Sequence, residues 1–378
     1  MSPEILTLYY NHSVTDIAIT IIIFFLSILT TIYTRNILQL NKVSTLLIFG
    51  AHNIIFPIYM LYLLKYGSDS LTYFIYFNEY DFAKVETGHI FMNKIIIFFD
   101  FLKLNFYNIN YLVSIFSLFS FFLYLKIIDD YKIRDKVDYY ILVSFICLPS
   151  LHFWNIGFSK DTLTFFSVSL IIYQMVKSKP NLFIIFIVLL LLYYVRPHIS
   201  LIVFVSVILY YLINTKSNIL KFIIIILSLF LSPLFLKSIF NFTDLGSIFA
   251  FLNIFQDLYV EKEKTALYSD TNFLLKMLYY MFMPNLFSLK DTSTIYLFAS
   301  LENTLLIFFF IKIFSLKTFN YKSFKMYSFL IVFSFISLPL LAYVTSNIGV
   351  AMRQKWIFLP VLFVLFSSLK YKKFKNNF

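Results

Sequence analysis

Apolar runs close to bilayer length recur along the whole chain, and they restrict its fold more than any other feature of the sequence. A helix needs about 20 consecutive apolar residues to cross the hydrocarbon core. Helices and closed barrels are the structures that satisfy every backbone polar group there. Hydrophobic residues make up 60% of the chain and charged residues 13%, about half of the charged share of a soluble domain. We therefore predict an all-α, polytopic integral membrane protein.

About eleven apolar runs are predicted to be transmembrane helices. They cover residues 17–33, 43–64, 107–128, 139–154, 162–176, 181–195, 199–213, 219–240, 295–314, 326–344 and 356–369. Residues 1–378 are predicted to form a single transmembrane domain. Two long polar segments are predicted on its outer face: residues 65–106, partly membrane-associated, and residues 241–294, in which 248–259 have the pattern of an amphipathic helix.

The lysines and arginines are concentrated in short loops, which indicates the orientation of the chain. Cytoplasmic loops carry an excess of these residues. With the N-terminus outside, the loops that contain Arg35, Lys132, Lys177 and Lys322 fall on the cytoplasmic side, together with the basic C-terminal tail. These loops account for the net charge of +12, so no nucleic-acid partner is predicted.

Three predicted turns on the outer face break this charge pattern. They are residues 159–161, 196–198 and 345–355, and two of the four arginines, Arg196 and Arg353, lie in them. Ionisable residues between membrane helices indicate a functional site by default. The guanidinium fork matches a phosphate group bidentately. We predict that a pyrophosphate is bound by Lys160, Arg196, Arg353 and Lys355.

The same turns contain candidates for a catalytic base. His198 follows Pro197 at the start of a predicted helix, where the positive end of the helix dipole favours a neutral imidazole. Glu79 and Asp81 form an acid-x-acid pair in the first outer segment and are the alternative. Asp161 is a further catalytic candidate, although its place at a helix start also suits capping. A purely structural ion cluster of Lys160, Asp161 and Arg196 is the competing interpretation.

Other polar and aromatic residues are assigned supporting roles or none. Trp154 is either an interfacial anchor or a platform for a sugar. Glu302 is either a buried ion-pair partner of Arg353 or a catalytic carboxylate, and Gln354 is a supporting residue. His52 and Asn53 suit interhelical hydrogen bonds or a proton relay. No metal or other cofactor is predicted, because partners at ligand spacing are missing for His12, His89 and His152.

These turns carry a resemblance to a known family. The stretch Pro149-Ser150-x-x-Phe153-Trp154-x-x-Gly157-x-x-Lys160-Asp161, then Arg196-Pro197-His198, then Asn347-x-Gly349-x-x-x-Arg353-Gln354-Lys355 resembles Wzy-type bacterial polysaccharide polymerases, within the GT-C-like membrane glycosyltransferases. The likeness covers roughly residues 139–369. One departure is that residues 241–294 contain no arginine, whereas the long outer loop of such polymerases often does.

The resemblance implies a function at the outer leaflet of the bacterial cytoplasmic membrane. It implies an undecaprenyl-pyrophosphate-linked oligosaccharide as donor, arginines that hold the leaving pyrophosphate, and an inverting transfer assisted by a base. Nucleotide sugar and metal are not required. Expected partners are membrane lipids, a flippase and a chain-length regulator. A glycosyltransferase that uses polyprenyl-phosphate sugars, relying on Glu79 and Asp81, and a flippase for lipid-linked oligosaccharides remain the alternatives.

Overall fold

Helices form all the regular structure in the part of the chain that the structure describes. The computed structural model describes residues 13–67, 69–76, 87–130, 136–177, 179–226, 272–286, 294–314, 328–345 and 348–369. No strand occurs in these ranges, so the all-α prediction is confirmed for them. The chain divides into two compact units. The first unit comprises Met1–Gln174 and Asn181–Arg196, and the second comprises Met175–Pro180 and Pro197–Phe378.

The first unit is organised around one long buried helix. Its helices are α1 (Val14–Leu38), α2 (Lys42–Tyr66), α3 (Asp69–Tyr76), α4 (Thr87–Phe101), α5 (Phe106–Asp130), α6 (Lys136–Ile146), α7 (Pro149–Trp154), α8 (Lys160–Val176) and α9 (Leu182–Val195). Helix α5 packs against α1, α2 and α6, while α4 packs against α3 and α9. The predicted outer segment 65–106 thus contains two helices among its described residues.

The second unit is built from shorter helices around α13. In chain order they are α10 (Pro197–Asn214), α11 (Phe273–Phe282), α12 (Thr294–Phe314), α13 (Ser328–Val344), α14 (Ile348–Gln354), a 3-10 turn (Lys355–Ile357) and α15 (Leu359–Leu369). Helix α13 packs against α10, α11 and α15. Residues 248–259, predicted to be an amphipathic helix, lie outside the described residues.

Within the described ranges, four helices, α1, α2, α5 and α10, are long and apolar enough to cross a membrane. A fifth candidate is the pair Ile348–Ile357 and Leu359–Leu365, which is bent by 47°. The exposed side chains of α1 and α2 include many Ile, Leu and Phe residues, as expected of helices that face lipid. The chain therefore has the helices of a membrane protein.

Two predicted elements are wrong in detail. The predicted span 139–154 is divided, because α6 ends at Ile146 and α7 begins at Pro149, whose ring suits the first position of a new helix. The predicted turn 345–355 is largely helical, since α14 occupies Ile348–Gln354 and a 3-10 turn starts at Lys355. The predicted span 356–369 consequently begins later, with α15 at Leu359.

Polar side chains fasten the helices of the first unit to one another. His52 Nε2 lies 3.0 Å from the Ser114 carbonyl oxygen, and its Nδ1 lies 3.1 Å from Nδ1 of His152. The Tyr111 hydroxyl donates to Asn53 Oδ1 over 2.8 Å. These bonds join α2, α5 and α7, so the predicted interhelical hydrogen bonding of His52 and Asn53 is confirmed. Such bonds fix helix contacts where apolar packing alone is poorly directional.

Candidate functional site

The turn before α8 brings Lys160 and Asp161 to a defined position. Gly157 has φ +80°, in the left-handed region that glycine adopts without strain. The Phe158 N–H donates to Asn110 Oδ1 over 2.8 Å, and the Ser70 hydroxyl donates to the same oxygen over 3.2 Å. This buried amide therefore ties the turn to α3 and α5.

Ser159 caps helix α8. Its Oγ accepts a hydrogen bond from the Thr162 N–H over 3.1 Å, as an N-cap side chain does. The Thr162 N–H is thus satisfied without the Asp161 carboxylate. That carboxylate is left to pair with a residue from another helix.

Asp161 pairs with Arg196, which stands at the end of α9. One guanidinium nitrogen of Arg196, Nη2, donates to Asp161 Oδ1 over 2.5 Å. The side chains are 15% and 12% exposed, so water screens the pair only weakly. Arg196 is extended, with φ −146° and ψ 88°, because Pro197 follows it and disfavours helical geometry. The Asp161–Arg196 pair is the one that the competing structural interpretation expects.

The second guanidinium nitrogen of Arg196 has no such partner. Nη1 is buried, and no atom of the described residues accepts a hydrogen bond from it. An arginine presents its donors in a fixed fork, so one arm can hold a carboxylate while the other faces a second anion. The geometry leaves Arg196 with a donor available for a ligand.

The start of helix α4 also lies close to Lys160, and this proximity was not predicted from the sequence. A Cβ atom on Gly88 would lie 2.5 Å from the Val195 carbonyl oxygen and 3.2 Å from Nζ of Lys160. Glycine therefore permits the start of α4 to approach both α9 and the lysine ammonium group. The chain has six glycines, and two of them, Gly88 and Gly157, are required at this site.

We name Lys160, Asp161 and Arg196 the cationic cluster. It combines two cations with one carboxylate, and the first residues of α8 and α4, where the positive helix ends lie, are close to each other at Lys160 and Gly88. Such an arrangement favours a bound anion, and phosphate suits it because of the guanidinium fork. The cluster lies entirely in the first unit.

The other predicted residues of the first unit have separate positions. Trp154 packs edge-on against Tyr62 and Phe153, with ring centroids 6.1 Å and 4.9 Å away. It belongs to an aromatic group at the end of α7, and its two predicted roles, interfacial anchor and sugar platform, stay predictions. Glu79 and Asp81 lie outside the described residues.

In the second unit, Lys355 is buried rather than placed on an open turn. It is 2% exposed, and its ammonium group donates to Asn303 Oδ1 and, over 3.4 Å, to the Met281 carbonyl oxygen. The Trp356 ring lies 5.1 Å from Nζ, and the buried carboxylate of Glu302 interacts with it electrostatically. A buried lysine with a carboxylate at a helix break was not expected from the sequence.

Three further predicted residues also belong to the second unit. His198 is exposed in the first turn of α10. Arg353 is partly buried, and its Nε donates to the Gly349 carbonyl oxygen within α14 over 3.3 Å. Gln354 Oε1 accepts from the Thr345 hydroxyl over 2.8 Å and so ties together the ends of the segment 345–354.

Searches for related proteins leave the family of the chain undetermined. No family profile, no curated protein and no solved structure matches it. Among the described residues, no group of three or more His, Cys, Asp or Glu side chains is arranged to hold a metal.

Proposed function

We propose that this chain is a polymerase of a bacterial envelope polysaccharide, of the O-antigen, capsule or exopolysaccharide kind. It transfers a glycan between polyprenyl-pyrophosphate-linked repeat units at the outer face of the cytoplasmic membrane. The observation that carries the proposal is the cationic cluster, in which Arg196 pairs with Asp161 and keeps a buried Nη1 that has no hydrogen-bond partner among the described residues. The resemblance of the three turns to Wzy-type polymerases supports the same assignment.

The chemistry of the transfer gives each group a role. The hydroxyl oxygen of the acceptor sugar attacks the anomeric carbon of the donor, and the bond from that carbon to the pyrophosphate oxygen breaks. The hydroxyl proton passes to a base, for which His198 is proposed and Glu79 or Asp81 is the alternative. Negative charge develops on the departing pyrophosphate, where Lys160 and Arg196 stabilise it as fixed donors.

Two other residues, Arg353 and Lys355, were also predicted from the sequence to bind the pyrophosphate. Phosphate binding by Arg353 stays a prediction from the sequence, because Arg353 belongs to the second unit and the cationic cluster to the first. Lys355 is left out of the phosphate-binding set, because its buried ammonium group already donates to Asn303 and Met281. Asp161 is assigned to orienting Arg196 rather than to proton transfer.

Transport is the second candidate function, and one observation favours it. Lys355 and Glu302 are buried where the pair Ile348–Ile357 and Leu359–Leu365 bends. Charged residues at broken helices are typical of transporter binding sites. A flippase for lipid-linked oligosaccharides would therefore use the second unit, whereas a polymerase requires the cationic cluster of the first.

Reporter fusions test the proposed location of the cluster. The distribution of lysine and arginine predicts about eleven spans, an outer N-terminus and a cytoplasmic C-terminus. Fusions at Asp161 are expected to report the outer face, while fusions at Lys179 report the cytoplasm. A cytoplasmic signal at Asp161 would exclude a reaction on units that have already been delivered to the outer leaflet.

A further inference from the structure

His89 is a histidine of the first unit that the proposed transfer does not use. It is the third residue of α4 and is partly buried. The residue before it abuts Lys160, since a Cβ atom on Gly88 would lie 3.2 Å from the lysine Nζ. One Cα–Cβ bond and one step along the backbone then place the Cα of His89 within about 8.5 Å of that nitrogen. His89 therefore belongs to the surroundings of the cationic cluster.

The imidazole ring of His89 lies beside the turn that precedes α8. Its centroid is 5.4 Å from that of the Tyr73 ring in α3. The Tyr73 ring in turn packs edge-on against Phe158, with the centroids 6.2 Å apart. The two neighbours of the histidine, Gly88 in its own helix and Tyr73 in α3, thus pack against Lys160 and Phe158.

The cationic cluster by itself carries little charge for a pyrophosphate. Lys160 and Arg196 supply two positive charges, and the Asp161 carboxylate offsets one of them. Each of the two phosphoryl groups of a lipid-linked pyrophosphate carries a negative charge, and the leaving group gains another when its bond to the sugar breaks. A further donor in the first unit would bind the second phosphoryl group.

An imidazole is a donor of the required kind. A neutral imidazole offers one N–H group, and an imidazolium ion offers two. Donors lie about 2.7–3.0 Å from the phosphate oxygens that they bind. The separation of His89 from the Lys160 ammonium group therefore leaves room for one phosphoryl group between the two side chains.

We propose that His89 is a third ligand of the donor pyrophosphate. Its imidazole donates to one phosphoryl group, and the guanidinium fork of Arg196 donates to the other. This inference rests on the proposed function and adds a residue that binds the leaving group, while the acceptor proton passes to a separate base. The histidine makes the site selective for a pyrophosphate over a monophosphate.

Two substitutions distinguish a ligand from a packing residue, His89→Phe and His89→Gln. Phenylalanine preserves the ring contact with Tyr73 but has no donor, whereas glutamine lacks the ring and keeps an N–H group. Binding to the purified protein is measured with undecaprenyl pyrophosphate and undecaprenyl monophosphate as probes. We expect His89→Phe to bind the pyrophosphate about tenfold more weakly, with His89→Gln closer to the wild type, and both variants to bind the monophosphate as the wild type does.

Phe91→Leu is the matched control in the same helix. The Phe91 ring stacks on Tyr194 of α9 with the centroids 5.8 Å apart, so its loss loosens the packing of α4 without removing a polar group. We expect this variant to melt at a lower temperature and to bind the pyrophosphate as the wild type does. Wild-type binding of the pyrophosphate by His89→Phe, or an equal loss of binding in Phe91→Leu, would overturn the role of His89.

A failure of the proposed function gives a different result. If only the role of His89 is wrong, Arg196→Lys still weakens the binding of both lipids while His89→Phe does not. If the wild type binds neither lipid, the phosphate site itself is absent, and both proposals fail.

Discussion

Replacing Arg196 with lysine is expected to reduce polymer formation by roughly 10²–10³-fold, the usual effect of removing a fixed donor from a developing charge. Lysine keeps the positive charge but has no fork. A single ammonium group at this position would pair with Asp161 and leave no second donor aimed at the phosphate. The measurement is the length and amount of polysaccharide in cells that produce equal quantities of wild-type and variant protein.

Two further variants separate a phosphate ligand from a structural ion pair. Arg35→Lys is the matched control, since Arg35 lies in α1 of the same unit and outside the cationic cluster, and it is expected to leave polymer unchanged. Asp161→Asn weakens the ion pair but preserves the guanidinium fork. If Asp161→Asn and Arg196→Lys lower polymer equally, or if neither does, Arg196 is a structural partner and not a phosphate ligand.

Gly157→Ala is expected to destabilise the first unit severely. A Cβ atom at this position would lie 2.4 Å from Cε1 of Tyr59 and 2.8 Å from Oδ1 of Asn110, and the backbone has φ +80°. The steric overlap and the left-handed conformation together cost roughly 2–4 kcal/mol. The Asn110 bond to Phe158 must also shift, so Lys160 and Asp161 would lose their fixed position. Thermal unfolding of the purified protein in detergent measures the effect.

Gly50 provides the control for that substitution. It lies inside α2, and a Cβ atom there would meet nothing within 4 Å. Gly50→Ala is therefore expected to stabilise the helix by about 0.5–1 kcal/mol, since alanine loses less backbone entropy than glycine. A Gly157→Ala protein that melts at the wild-type temperature would contradict the close packing around the turn.

The sequence predicted the long helices well, because apolar runs and helix limits are local properties. The predicted spans 17–33 and 107–128 correspond to α1 and α5, which are one to five residues longer at each end. The prediction was wrong at Pro149, because hydrophobic residues continue on both sides of the helix break there. A hydropathy profile does not detect that proline lacks a backbone N–H group. The short helices α3, α4 and α11 were not predicted, because each lies in a segment that was interpreted as an outer loop.

The candidate site was predicted in part. Asp161 and Arg196 were expected to lie close together. The reason is that two successive apolar hairpins bring the turns that contain them to the same level of the membrane. The contribution of Gly88 was missed, because it comes from a segment interpreted as an outer loop and its contacts with Lys160 and Val195 are far apart in sequence. The scarcity of glycine was the one signal that pointed to it.

The burial of Lys355 is a second feature that was not predicted from the sequence. The three consecutive polar residues Arg353, Gln354 and Lys355 have the pattern of a surface turn, and they were interpreted in that way. Its partner Asn303 lies 52 positions earlier in the chain. Only the folded second unit brings the two side chains together, so burial and pairing were beyond what local patterns indicate.

The central claim is that this protein itself joins lipid-linked glycans, and reconstitution tests it most directly. Purified protein in liposomes receives undecaprenyl-pyrophosphate-linked repeat units and nothing else, and the products are separated by glycan length. We expect longer lipid-linked glycans and released undecaprenyl pyrophosphate without nucleotide sugar or added metal, with His198→Ala slower by roughly 10²–10⁴-fold. Movement of intact units across the bilayer without elongation, or elongation only when a polyprenyl-monophosphate sugar is added, would contradict the proposal.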